Sequence, residues 1–206
     1  GSNVDLAAIK NAVTTADGIN GGTTTALNIA AVTNLAGTMA EATSFLSYKT
    51  AGTVTNATDQ NISITNDDGS GITVDNANLL NATTSGVVTA TILTTETVTE
   101  LATLTAQTGG GTNNAYTIAI RADDATAATA EQLNTINDAT SVAVTATNVT
   151  GIASSSISTI NTALDAGATG AISGLGTGLT SLIVADHAEG SNVDLAAIKN
   201  AVTTAD

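Results

Sequence analysis

Paired carboxylates are the side chains of this 206-residue chain whose spacing comes nearest to a chemical site. Asp67 and Asp68 follow an alternating apolar segment and precede a glycine. Asp123 and Asp124 follow another such segment. Calcium takes six to eight oxygen ligands from carboxylates and loop carbonyls, so these turns are a candidate low-affinity calcium site. The same pattern also forms Asx-turns and helix N-caps, and it lacks the spacing of an EF-hand loop.

The other reactive groups do not suggest a catalytic set. His187 is the single imidazole and stands beside Asp186, and side chains at adjacent positions rarely converge on one point. No cysteine and no second histidine could complete a metal or nucleophile site. The glycines at 174–178 miss the dinucleotide-binding spacing, because Leu179 occupies the last glycine position. We therefore predict no enzyme activity and, apart from calcium, no cofactor.

The charge and composition narrow the partners and the location. The chain carries 18 acidic and 4 basic side chains, a net charge of −14, which argues against binding nucleic acid or anionic lipid. Every apolar run is shorter than the ~18 residues of a membrane span, and no signal-peptide pattern opens the sequence, so we expect no membrane insertion. The absence of cysteine and the scarcity of lysine and arginine suit a chain outside the cell.

A 17-residue segment occurs twice without a single difference. Residues 1–17 read GSNVDLAAIKNAVTTAD, and residues 190–206 read the same letters. Such repetition indicates a tandem array, in which residues 1–189 form one period and residues 190–206 begin the next identical one. The alternative is an engineered duplication that caps a truncated end. In an array the expected partners are neighbouring identical repeats, and the excess of acidic residues makes the whole a polyanion.

Two periodicities alternate along this period. Apolar residues recur at helical spacing in six segments, namely Leu6/Ile9/Val13, Met39/Ala42/Leu46, Val74/Ala77/Leu80, Val98/Leu101/Leu104, Leu133/Ile136/Ala139 and Ile157/Ile160/Leu164. Between them, apolar residues alternate with polar ones as in strands, namely Leu27/Ile29, Ile62/Ile64, Val88/Ala90/Ile92, Tyr116/Ile118/Ile120, Val142/Val144/Ala146 and Leu182/Val184. We therefore predict about six strand–helix units in each period.

The predicted architecture follows because one strand–helix unit cannot bury its own apolar faces. A short helix with three apolar residues needs a neighbour, and stacking the units buries helix and strand together. The strand–helix–strand order favours parallel strands with right-handed crossovers. We predict an α/β solenoid of stacked strand–helix units, right-handed and curved, with one continuous parallel sheet. The alternatives are an all-β helix, in which the helical segments are turns, and a sandwich of adhesin-like modules.

Threonine occupies the outward positions of several predicted strands. These positions are Thr89, Thr91, Thr117, Thr145 and Thr147. Threonine favours strands, and its hydroxyl tolerates water. The row is either a solvated sheet face or an interaction face for another filament, a glycan or ordered water.

One stretch of the sequence is similar in style to known repeats. Residues 129–140 read TAEQLNTINDAT, and residues 142–147 read VAVTAT. This stretch resembles the repeat regions of giant bacterial cell-surface and secreted structural or adhesin proteins, of marine and cyanobacterial type. The resemblance is one of composition and repeat style and is clearest over residues 70–165. It implies an extracellular structural or adhesive role, often with calcium-binding repeats whose motif this chain lacks.

Repeat, composition and resemblance together predict a function. We expect a structural repeat module of an extracellular bacterial filament, sheath or surface layer. Such modules would assemble end to end by stacking the last strand–helix coil of one copy on the first coil of the next. The alternative is an adhesin stalk or ligand-binding section that uses the threonine face or the acidic loops.

Overall fold

The chain forms two compact units in the computed structural model. The residues that the structure describes are 2–19, 26–65, 69–107, 113–185 and 202–205. Unit 1 comprises Gly1–Thr91 and Thr105–Tyr116, and unit 2 comprises Ile92–Leu104 and Thr117–Asp206.

Helices and strands alternate along both units. The helices are α1 (Leu6–Ile19), α2 (Met39–Thr50), α3 (Val74–Asn81), α4 (Val98–Leu101), α5 (Ala130–Asp138) and α6 (Ile157–Ala168), with a 3-10 helix at Ala122–Asp124 and a helical turn at 202–205. The strands are β1 (Ser2–Asp5), β2 (Leu27–Asn28), β3 (Val32–Gly37), β4 (Val54–Thr55), β5 (Asn61–Ile64), β6 (Val88–Thr91), β7 (Ala115–Thr117), β8 (Val144–Thr145), β9 (Gly151–Ser155), β10 (Ile172–Ser173) and β11 (Ser181–Val184).

Hydroxyl side chains fix where most of these helices begin. Three helices start with a capping box, in which a threonine hydroxyl and a glutamate or glutamine three residues later each accept a backbone N–H. The pairs are Thr38/Glu41 for α2, Thr97/Glu100 for α4 and Thr129/Gln132 for α5. Thr73 and Ser156 cap α3 and α6 through their hydroxyls alone. The abundance of threonine thus supports helices as well as strands.

The principal sheet has five parallel strands in the order β1-β3-β5-β6-β7. Paired residues of neighbouring strands are separated by about one strand–helix repeat in sequence. Asn34, for example, pairs with Asn61, and Ile62 pairs with Val88. Three further sheets of two strands pair β2 with β4, β8 with β10, and β9 with β11, all in parallel. Parallel pairing requires a crossover between partners, which the helices and loops provide.

The prediction of a solenoid with one continuous parallel sheet is wrong. The described strands divide among four sheets in a mixed α/β fold. The physical reason is that the strand–helix repeats differ in length: α4 has 4 residues and α1 has 14. Several strands have only 2 residues, namely β2, β4, β8 and β10. A strand this short makes few ladder bonds, so strand pairing does not continue from one strand–helix repeat to the next. The helices also exclude the all-β alternative.

Aliphatic side chains form most of the core in each unit. The helical faces of α3 and α5 are buried, as Leu80 and Ile136 illustrate. Phe45 and Tyr116 are buried as well, so the core of unit 1 accommodates aromatic rings. The Tyr116 hydroxyl donates to the carbonyl of Ala77 at 3.3 Å, and burial raises the pKa of the phenol above its usual value.

Candidate interaction surface

The first copy of the duplicated segment forms β1 and α1 in unit 1. Strand β1 pairs in parallel with β3, placing Val4 opposite Leu35 and Asp5 opposite Ala36. The Asp5 carboxylate accepts the N–H of Ala7 at 2.7 Å and so caps the first turn of α1. A sheet strand and the helix that follows it therefore lie together in one short segment.

Helix α1 buries one apolar face against its neighbours. Leu6, Ile9 and Val13 are all buried, and α1 packs against α2 and β3. Gly37 at the end of β3 allows this approach, because a Cβ there would lie 3.0 Å from Cβ of Leu6. Burial of an aliphatic side chain stabilises the folded state by about 1.5–3 kcal/mol. These three residues therefore account for much of the free energy that holds the segment in place.

A ladder of asparagine side chains joins β1 to the rest of the sheet. Asn34 Nδ2 donates to Asn3 Oδ1 at 2.8 Å, and Asn61 Nδ2 donates to Asn34 Oδ1 at 2.9 Å. The N–H of Val87 then donates to Asn61 Oδ1 at 2.8 Å. These asparagines were not among the predicted site residues, although the spacing of 27 positions between Asn34 and Asn61 is visible in the sequence.

A second asparagine pair is buried in the same unit. Asn114 Nδ2 donates to Asn81 Oδ1 at 2.9 Å, and the N–H of Val88 donates to Asn114 Oδ1 at 2.9 Å. Asn81 Nδ2 also donates to Thr105 Oγ1 at 2.8 Å. Because buried amides are costly without partners, this network holds α3 and β6 in one arrangement with Thr105 and Asn114.

The described end of the second copy has different surroundings from the first. Val202 occupies the position of Val13 in the identical sequence, yet 51% of Val202 is exposed and only 2% of Val13. In unit 2 the turn at 202–205 lies beside residues 179–182, and Val202 and Ala205 line a shallow groove there. The valine at this position of the duplicated segment is thus buried in the first copy and exposed in the second.

Strand β11 adds further apolar surface to unit 2. Among the described residues it pairs with β9, and 53% of Ile183 and 38% of Val184 are exposed. A strand with a free edge presents unpaired backbone groups that can accept another strand. Exposed aliphatic side chains and a strand edge therefore occur together in unit 2.

The two carboxylates of the turn at 123–124 have different surroundings. Asp124 is buried, and its Oδ2 accepts the N–H of Val98 at 2.8 Å and Nε of Arg121 at 3.0 Å. Asp123, in contrast, is exposed. Asp124 is therefore ion-paired with Arg121 and caps α4, whereas the Asp123 carboxylate faces solvent.

The calcium hypothesis stays a prediction. Asp67 and Asp68 lie outside the described residues, as does His187. Within the described ranges, no cluster of three or more acidic, histidine or cysteine side chains has the arrangement of a metal site. Over the same ranges, no helix combines the length and the apolar character needed to cross a membrane.

The predicted threonine positions face outward. In unit 1, Thr89 and Thr91 are exposed, whereas the intervening Ala90 is buried. In unit 2, Thr117, Thr145 and Thr147 are exposed. This alternation is that of a sheet with one solvent face. Whether these hydroxyls bind a partner stays a prediction.

Polar side chains also link successive helices of unit 2. Ser155 Oγ accepts the N–H of Ala130, the first residue of α5, at 2.9 Å. Glu131 Oε1 accepts Thr159 Oγ1 at 2.6 Å. Partial desolvation opposes ionisation of Glu131, but the hydrogen bonds from Thr159, its own backbone, Ser155 and Ser156 outweigh it and lower its pKa to about 2. These contacts fix α5 against the segment that leads into α6.

Comparisons with protein-family models, curated proteins and solved structures give no match. The features of this chain that bear on its function are its duplicated segment and the two environments of Val13 and Val202.

Proposed function

We propose that this chain is a structural repeat module that joins identical neighbouring copies in an extracellular bacterial filament, sheath or surface layer. The observation that carries the proposal is the verbatim duplication of residues 1–17 at 190–206, together with the structure of the first copy. That copy is a strand and a helix docked on β3 and α2, which is a contact between segments and not a free tail. A repeated docking segment suits a chain in which each copy joins the next.

Charge and composition support the location in this proposal. The net charge of −14 keeps such assemblies soluble and discourages non-specific aggregation. Because the chain has no cysteine, no thiol of the module can be oxidised outside the cell. The scarcity of lysine and arginine removes cleavage points for proteases that require them. We therefore propose a non-catalytic, extracellular role.

Chains of one, two and three 189-residue periods, each ending in the 17-residue segment, test this function. We expect the maximum dimension in small-angle X-ray scattering to rise by a constant increment per period, and the periods to unfold cooperatively. Compact beads on flexible linkers, each melting as the single period does, would contradict an array of docked periods. Sequencing the gene around this segment gives an independent check, since the proposal requires further in-frame copies and a route of secretion.

The exposed threonines favour an adhesin section as a second candidate function. Thr89 and Thr91 in unit 1, and Thr145 and Thr147 in unit 2, present hydroxyls to solvent without supporting the core. Replacing these four residues by lysine leaves the buried residues in place and blocks a flat docking face. Loss of binding to cells or glycans, with an unchanged circular dichroism spectrum, would support this function. Unchanged binding would exclude these threonines.

A further inference from the structure

We draw no further inference here: the strongest candidate, the solvent-facing side of the five-stranded sheet in unit 1 on which Thr89 and Thr91 lie, is an unpartnered sheet face, and nothing in the structure shows what covers it.

Discussion

The N–H of Val98, the first residue of α4, donates to Oδ2 of Asp124, a residue 26 positions further along the chain, at 2.8 Å. A four-residue helix is too short to be stable alone, so this contact and the Thr97 cap hold α4 in place. The carboxylate that seemed suited to calcium thus has a structural task within unit 2.

Replacing Asp124 by alanine tests that task. The substitution leaves the Val98 N–H and the Arg121 guanidinium without their buried acceptor, so we expect the free energy of unfolding to fall by about 2–4 kcal/mol. Asp123→Ala, which alters an exposed neighbour, is the matched control and should change it by less than about 0.5 kcal/mol. Urea unfolding of both variants measures the difference, and equal effects would contradict the assigned role.

Val13→Ala and Val202→Ala form a pair in identical local sequence. We expect Val13→Ala to lower the stability of the chain by about 2 kcal/mol, since it removes two buried methyl groups and leaves a cavity. Val202→Ala should have an effect within about 0.5 kcal/mol, because the side chain is half exposed. Denaturant melts at low protein concentration measure both values. A large effect of Val202→Ala in the monomer would show that its surroundings differ from those described.

Gly86 is required by a close approach of two backbone segments in unit 1. A Cβ at this position would lie 2.4 Å from the carbonyl oxygen of Gln60, so alanine forces the backbone apart. We expect Gly86→Ala to cost about 3 kcal/mol. Gly178→Ala is the control, because a Cβ there meets no atom within 4 Å. Thermal melts of the two variants that coincide would contradict this packing.

The low pKa of Glu131 predicts a pH-dependent contribution to stability. The folded-state pKa of about 2 lies below the ordinary value of 4.5, so the carboxylate stabilises the fold fully above about pH 4.5. This contribution is lost as the pH falls from 4.5 towards 2. Because Glu131 is largely exposed, we expect a modest effect, about 2 °C in melting temperature.

Comparison with Glu131→Gln isolates this contribution from the other carboxylates of an acidic chain. The difference in melting temperature between the unaltered chain and the variant should be largest near pH 6 and should shrink towards pH 2. Thr159→Val removes the hydroxyl that donates to Glu131 and should reproduce most of the effect. A difference that is constant with pH would rule out the assigned hydrogen bonds as its source.

Helix positions could be predicted from the sequence, because apolar spacing and capping are local. The predicted face of α3, Val74/Ala77/Leu80, is buried as a whole. In α2 the predicted face is shifted, since Phe45 is buried and Leu46 is only partly so. Either residue satisfies the spacing, and the larger ring takes the inner position because it removes more apolar surface from water.

Sheet pairing could not be predicted, because it depends on residues far apart in sequence. Whether β8 joins β10 or extends the five-stranded sheet is decided by a few ladder bonds, which no local pattern records. The asparagine network was missed for a related reason: an asparagine in a turn and one that bonds another strand look alike in sequence. Likewise, the unlike environments of Val13 and Val202 cannot be deduced from identical letters.

The asparagine ladder gives the sheet of unit 1 a polarity. In each of the three bonds the donor lies on the side of β6 and the acceptor on the side of β1, so the bonds run in a single sense from Val87 to Asn3. The strands are parallel as well, and neither the backbone nor the side chains supply a symmetry that would exchange the two edges. Any polymer that extends this pairing therefore has two chemically unlike ends, and subunits arriving at one end would add at a different rate from those arriving at the other.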